Sequence, residues 1–245
     1  MNRFFVEPDA ISGTQVTIPD ETAAQIRKVL RLKEGTRVQF LDNEGWVYES
    51  EIHYLSEKQL SAEVLEKHPA ENEPDVCISL YVGLTQREKF EWMLQKCTEA
   101  GVGRVIPMVT ERSLIRSAAD VTGKRERWEK ILKEAAEQCG RGRIPVLCPA
   151  VSFSEAVRQG GSADLKLFCW EEEKQRSLRE QLRSLPHRPE EIALMVGPEG
   201  GFSEEEAQSA RSAGWQPVTL GRRIYRMETA ALAAVMLTLY ELENE

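Results

Sequence analysis

The chain has 245 residues and is 41% hydrophobic, enough to bury roughly 70–75% of its extended surface in one large or two modest domains. Its five cysteines are odd in number and form no C-x-x-C pair, which disfavours a disulfide framework or a zinc site and fits reduced thiols in the cytoplasm; no apolar run has membrane-helix or signal-peptide length. The net charge of −8 speaks, as a sum, against a nucleic-acid partner.

Residues 1–70 read as a small β-rich domain. Arg3–Val6, Thr14–Ile18, Thr36–Leu41, Trp46–Tyr54 and Gln59–Leu65 are short strand candidates, Asp42-Asn43-Glu44-Gly45 is a hairpin turn, and a helix is expected from Asp20 through Arg31. Thr22–Arg37 carries Arg27, Lys28, Arg31, Lys33 and Arg37 against Glu34 alone, and Arg104–Arg143 is a second locally basic stretch; such patches can meet phosphates while the remaining surface stays acidic. Lys67–Pro74 lacks large apolar residues and holds two prolines, so the linker is placed there.

From residue 74 to 245 strands and helices alternate. The pattern predicts strand Val76–Val82, helix Arg87–Ala100, strand Val105–Val109, helix Lys124–Cys139, strand Ile144–Cys148, a short helix opened by Ser152, strand Leu165–Trp170 and helix Lys174–Leu185. Successive βα units predict a mostly parallel α/β sheet. The three histidines are scattered, so neither a metal nor a histidine base is expected.

Two loops near the end carry the chemistry. Ile192–Val196 is a continuous apolar run suited to a buried parallel strand; Gly197-Pro198-Glu199-Gly200-Gly201 breaks it, and Ser203 with Glu206 forms a capping box that starts a helix. Strand, glycine turn and helix start form the general outline of a nucleotide site. The motif is neither G-x-G-x-x-G nor a P-loop, and Glu204, Glu205 and Glu206 in the first helical turn would repel an anion, so a neutral or cationic ligand suits it better. The second loop, Gly221 to Thr229, holds Arg222, Arg223 and Arg226 between strand Pro217–Leu220 and a helix, Ala230–Leu242, that is apolar on nearly every side and therefore buried.

Val196-Gly197-Pro198-Glu199-Gly200-Gly201-Phe202-Ser203 and Leu220-Gly221-Arg222-Arg223-Ile224-Tyr225-Arg226-Met227-Glu228-Thr229-Ala230 resemble the two cofactor-loop signatures of the SPOUT class of RNA methyltransferases. In particular they are similar to the bacterial 16S ribosomal RNA uracil-N3 methyltransferase family. Met1-Asn2-Arg3-Phe4-Phe5, Lys96-Cys97-Thr98-Glu99-Ala100-Gly101-Val102, Glu111-Arg112-Ser113 and Glu134 to Arg141 with Pro145 extend the match in order along the chain, with Tyr225 standing where the family pattern has leucine.

The resemblance implies a C-terminal trefoil knot, an N-terminal PUA-like or OB-like RNA-binding barrel and S-adenosylmethionine as cofactor. It also implies 16S rRNA, within the 30S subunit, as substrate, and a homodimer. By position it assigns the cofactor to Cys169, Glu171, Val196, Gly197, Gly200, Leu220, Gly221, Ile224 and Met227. Catalytic roles fall to Arg226, as stabiliser of the uracil anion, and Glu199, which orients the donor or takes the proton. Arg27, Arg31, Arg112, Arg141 and Arg143 are RNA-contact candidates. Rival readings are a ribose 2′-hydroxyl methyltransferase, a non-catalytic rRNA-binding assembly factor and, weakest, a dinucleotide-dependent oxidoreductase.

Overall fold

A computed structural model of the chain describes residues 1–54, 56 and 59–243. These divide into two compact units, Met1–Glu73 with Ala136–Ile144, and Pro74–Ala135 with Pro145–Glu245.

The first unit is built on one six-stranded sheet. β1 (Asn2–Phe5), β2 (Ile11–Ser12), β3 (Gln15–Thr17), β4 (Arg37–Leu41), β5 (Trp46–Tyr54) and β6 (Leu60–Pro69) lie in the order β1-β4-β5-β6-β3-β2. Only β1 and β4 run parallel; the other pairs are antiparallel. Alternation sends Phe4, Val16, Val38, Phe40, Ile52 and Ala62 into its core. The β4–β5 turn follows the sequence signal: Asn43 takes positive φ, and the Asp42 carboxylate accepts the amides of Glu44 and Trp46 at 2.8 and 3.1 Å.

Two expectations are corrected here. β6 continues past Leu65 to Pro69, pairing Pro69 with Trp46, so the predicted linker begins as strand. Beyond Ser61–Glu63 that strand pairs with β5 alone, an edge on which polar residues and a proline are tolerated, and the Lys67 ammonium lies 4.4 and 5.0 Å from the rings of Trp46 and Tyr48. The expected helix Asp20–Arg31 is α1 (Asp20–Ala24) followed by a wider π-helical turn, Gln25–Leu30, ended by Arg31 at φ 52°.

The second unit contains one parallel sheet. β7 (Cys77–Gly83), β8 (Arg104–Val109), β9 (Val146–Leu147), β10 (Val151–Ser152), β11 (Leu165–Cys169), β12 (Glu191–Val196) and β13 (Gln216–Val218) give the order β10-β8-β7-β12-β11-β13, with β9 paired to β8. The helices are α2 (Arg87–Glu99), α3 (Arg125–Cys139), of which the residues up to Ala135 belong to this unit, α4 (Phe153–Gln159), α5 (Leu178–Arg183), α6 (Glu204–Ser212) and α7 (Met227–Glu243). The centre of the sheet is fully buried, as continuous apolar strands require: Ile78, Leu80 and Val82 of β7 and Ile192 to Met195 of β12 have no exposed surface. α7 packs on α2, α5, β7 and β12. This is the expected α/β fold with a mostly parallel sheet, alongside a mainly antiparallel one.

α5 is shorter than predicted, starting at Leu178 rather than Lys174. Ser177 and Glu180 form a reciprocal capping box that fixes its start. The residues before it are held as a turn by the Glu173 carboxylate, which accepts the Gln175 and Arg176 amides at 2.7 and 3.1 Å. No described helix is long and apolar enough to cross a membrane.

Candidate active site

The parallel sheet sets three strand ends side by side, because β11 pairs with both β12 and β13. Cys169, Val196 and Val218 stand at those ends, and the chain leaves each one in a loop. The loops after them enclose a cleft of about 480 Å³, within the range of small-molecule sites.

The first loop turns at Pro198–Gly201, where the Gly201 amide donates to the Pro198 carbonyl at 2.9 Å. Gly201 takes φ 68°, and a Cβ there would fall on the Glu171 carboxylate. At Gly200 a Cβ would lie 2.9 Å from the Arg112 Cβ, closer than such atoms pack. Gly83 is the matching position on the strand beneath: a Cβ would sit 2.4 Å from the Pro198 nitrogen. This backbone is therefore clamped from below and left bare toward the cleft.

Side chains lock the loop on both flanks. The Glu199 carboxylate accepts the Thr85 hydroxyl and, at 2.9 Å, the Lys89 ammonium. Partial burial resists its ionisation, but the Thr85 and Lys89 hydrogen bonds outweigh that and hold it below the usual carboxylate range. On the other side Arg112 donates to the Gly200 carbonyl at 3.1 Å. Buried Glu206 then joins three features through one carboxylate: it closes the capping box on the Ser203 amide at 3.1 Å and accepts the Glu111 amide at 2.9 Å, fixing the loop that carries Arg112.

The second loop begins with Thr219, whose hydroxyl accepts the Gly221 amide at 3.2 Å, and passes through Gly221 at φ 122°. It carries Arg222, Arg223 and Arg226, all exposed, and Ile224, 82% exposed, before Met227 enters the core. The third wall is Cys169, Trp170, Glu171 and Lys174. Cys169 is half-buried as a residue, but its thiol is enclosed and burial pushes it up to about 12.

All nine residues expected to hold a cofactor line this cleft: Cys169, Glu171, Val196, Gly197, Gly200, Leu220, Gly221, Ile224 and Met227. Glu199 and Arg226 line it as well, and no hydrogen bond or ion pair engages the Arg226 side chain among the described residues. The arginines expected on RNA separate. Arg31, Arg112 and Arg143 are exposed. Arg141 is 4% exposed and paired with Glu73 at 2.9 Å, so it presents little surface of its own. Arg27 is half-buried, donates through one terminal nitrogen to the Ser56 and Gln59 carbonyls at 2.6 and 3.1 Å and stacks on Tyr54, while its buried Nε has no hydrogen-bond partner.

Gly83, Thr85, Lys89 and Lys174 were not singled out from the sequence. Gly83 had a readable signal, since it ends an apolar strand run just as Gly197 does. Thr85 and Lys89 had none, because their partner Glu199 lies more than a hundred residues away. Among the described residues no group of His, Cys, Asp and Glu side chains could hold a metal ion.

Residues 72–239 match the model of the RNA methyltransferase domain family. The ribosomal RNA small subunit methyltransferase E of Synechocystis is 32% identical over 95% of this chain and 75% of its own length, and that of Bacillus subtilis 30% over 99% and 98%. The crystal structure of the Neisseria gonorrhoeae enzyme of the same name, bound to S-adenosyl methionine, superposes with a TM-score of 0.87 at 32% identity, covering 98% of this chain and 97% of that one. With a matching domain over most of its length and relatives at this identity across nearly all of it, the chain belongs to the ribosomal RNA small subunit methyltransferase E family.

Proposed function

We propose that this protein transfers a methyl group from S-adenosylmethionine to N3 of a uridine in 16S ribosomal RNA of the small subunit. One observation carries the reading: two loops that match the family's cofactor signatures close a single cleft of ligand size, in a fold shared with a relative bound to S-adenosyl methionine.

The residues suit such a cofactor. Bare backbone at Gly197, Gly200 and Gly221 can hydrogen-bond a base and ribose at close range, while Val196, Leu220, Ile224 and Met227 offer apolar surface to a flat ring. The carboxylates of Glu171 and Glu199 suit the positive charge of a sulfonium and an ammonium. When bound, the cofactor supplies an electrophilic methyl group.

Uracil N3 attacks only after losing its proton, which passes to solvent water, so the site must stabilise negative charge on the pyrimidine. Arg226 suits this role: it lines the cleft, and its guanidinium stays charged and can donate two parallel bonds to pyrimidine oxygens. Glu199 holds the donor and does not take the proton, because its two donors keep it a weak base. The exposed cations Arg222, Arg223 and Arg112 suit contact with an RNA backbone, and the first unit, read as a small RNA-binding barrel, would offer exposed Arg31 as a further RNA edge. The target base is turned out of any pairing, since pairing consumes its N3 edge.

Finer features follow in the same reading. A trefoil knot is supported by β13 lying outside β11 while α7 returns to β7 and β12. A homodimer is supported by Met236, Leu237 and Tyr240, which are 53%, 42% and 63% exposed on α7. The enzyme works in the cytoplasm on the 30S particle.

The test is methyl transfer from labelled S-adenosylmethionine to 30S particles from cells lacking the protein, followed by nucleoside analysis. The expected product is 3-methyluridine, lost in Gly200→Leu, whose side chain would collide with Arg112. Tight rRNA binding without any methylated nucleoside would overturn the enzyme reading in favour of an assembly factor.

A further inference from the structure

Glu199 is the second residue of the Pro198–Gly201 turn, with two glycines directly after it. Such a backbone does little to fix where its carboxylate points, yet Glu199 lines the cleft. Its orientation comes from elsewhere. Thr85, 1% exposed, stands just past the end of β7, and its hydroxyl donates to Glu199 Oε1. Lys89, in the first turn of α2, reaches the same oxygen at 2.9 Å. Neither residue lines the cleft itself. The supports beneath them are rigid: Gly83 lies against Pro198 with no room for a side chain, and the Leu84 amide is bound to the Met108 carbonyl at 2.9 Å.

We infer that Lys89 and Thr85 are positioning residues of the cofactor site, aiming the Glu199 carboxylate at the cationic end of the methyl donor. The inference rests on the proposed use of the cleft. Two donors on one oxygen define a direction, as a single flexible ion pair would not. Lys89 also balances the charge of a carboxylate beside which Glu171 stands as a second anion in the same cleft, so Glu199 attracts a cation without being pulled out of the loop.

The test is equilibrium binding of S-adenosylmethionine to the full-length protein, with thermal melting as a check on folding. Lys89→Met is expected to weaken binding about fivefold, a modest loss because the ion pair is partly exposed, with Tm unchanged. Lys89→Arg should restore binding to within about twofold, since it keeps a charged donor. The deciding measurement is the double variant: in a Glu199→Gln background, Lys89→Met should cost almost nothing more. Independent, multiplicative losses would overturn the inference, as would equal binding by all variants. Failure of the unaltered protein to bind S-adenosylmethionine would instead overturn the reading of the cleft, so the two failures are distinguishable.

Discussion

At the scale of single residues, the site separates groups that can react from groups that are only present. Cys169 stands in the cleft, and a cysteine beside a pyrimidine invites a covalent mechanism in which thiolate adds to the ring. Burial argues against it: a thiol pushed up to about 12 is almost wholly protonated at neutral pH, and the thiolate is the nucleophile. Cys169→Ala is therefore expected to retain methyl transfer within about threefold, and the unaltered thiol to resist iodoacetamide at pH near neutrality. A loss of several hundredfold in single-turnover rate would show that the thiol takes part. Most of the lining residues are legible from the sequence because they sit in two contiguous glycine-marked runs, Val196–Ser203 and Leu220–Ala230; the third wall, Cys169 to Lys174, carries no such mark. Their supports are not legible. Thr85 and Lys89 act across a sheet, and the burial of Arg141 against Glu73 depends on a pairing that no local pattern encodes.

At the scale of elements, loops are placed by the helix and strand ends they join, and α6 shows how. Its capping box was readable in the sequence as Ser203 and Glu206. The second use of Glu206, on the Glu111 amide, was hidden by a separation of 95 residues. That bond makes the start of α6 an anchor for the loop that brings Arg112 to Gly200. Glu206→Gln keeps the shape but sets an amide NH2 against one of two backbone N–H groups. With Glu206 only 8% exposed, the expected cost is about 1–3 kcal/mol of stability, together with weaker cofactor binding as the Arg112 loop comes loose. Denaturation midpoints and S-adenosylmethionine affinity measured on the same preparation check both. An unchanged midpoint would mean that Glu206 is replaceable by solvent. The strand order shows the opposite case: alternation predicted a parallel sheet, but which strand ends become neighbours is decided by long-range pairing, and the cleft exists only because β11 lies between β12 and β13.

At the scale of the molecule, charge pairing sets how stability responds to pH. Glu91, Glu173, Glu180, Glu199 and Glu241 all have carboxyls held below the ordinary value of 4.5. Glu91 is the clearest. It lies on α2 and is gripped by Arg127 of α3 at 2.6 and 2.8 Å and by Arg87 one turn away at 3.0 Å. The Arg127 hydrogen bonds are the main cause of its lowered value, exceeding the opposing effect of burial. A carboxyl whose folded value lies below its unfolded one stabilises the fold above pH 4.5, and that contribution is lost as pH falls through the folded value. Glu91→Gln removes the titration while keeping the shape. Urea unfolding of the two proteins should therefore show the unaltered chain more stable at neutral pH, with the gap narrowing as pH drops below 4.5, because only the unaltered chain then takes up a proton on unfolding, its unfolded carboxyl binding that proton more tightly than the paired, folded one. A gap that stays constant down to pH 3 would show that the α2–α3 contact is held by packing around Phe90 and Trp128, whose rings lie 4.5 Å apart, and not by the ion pairs above it.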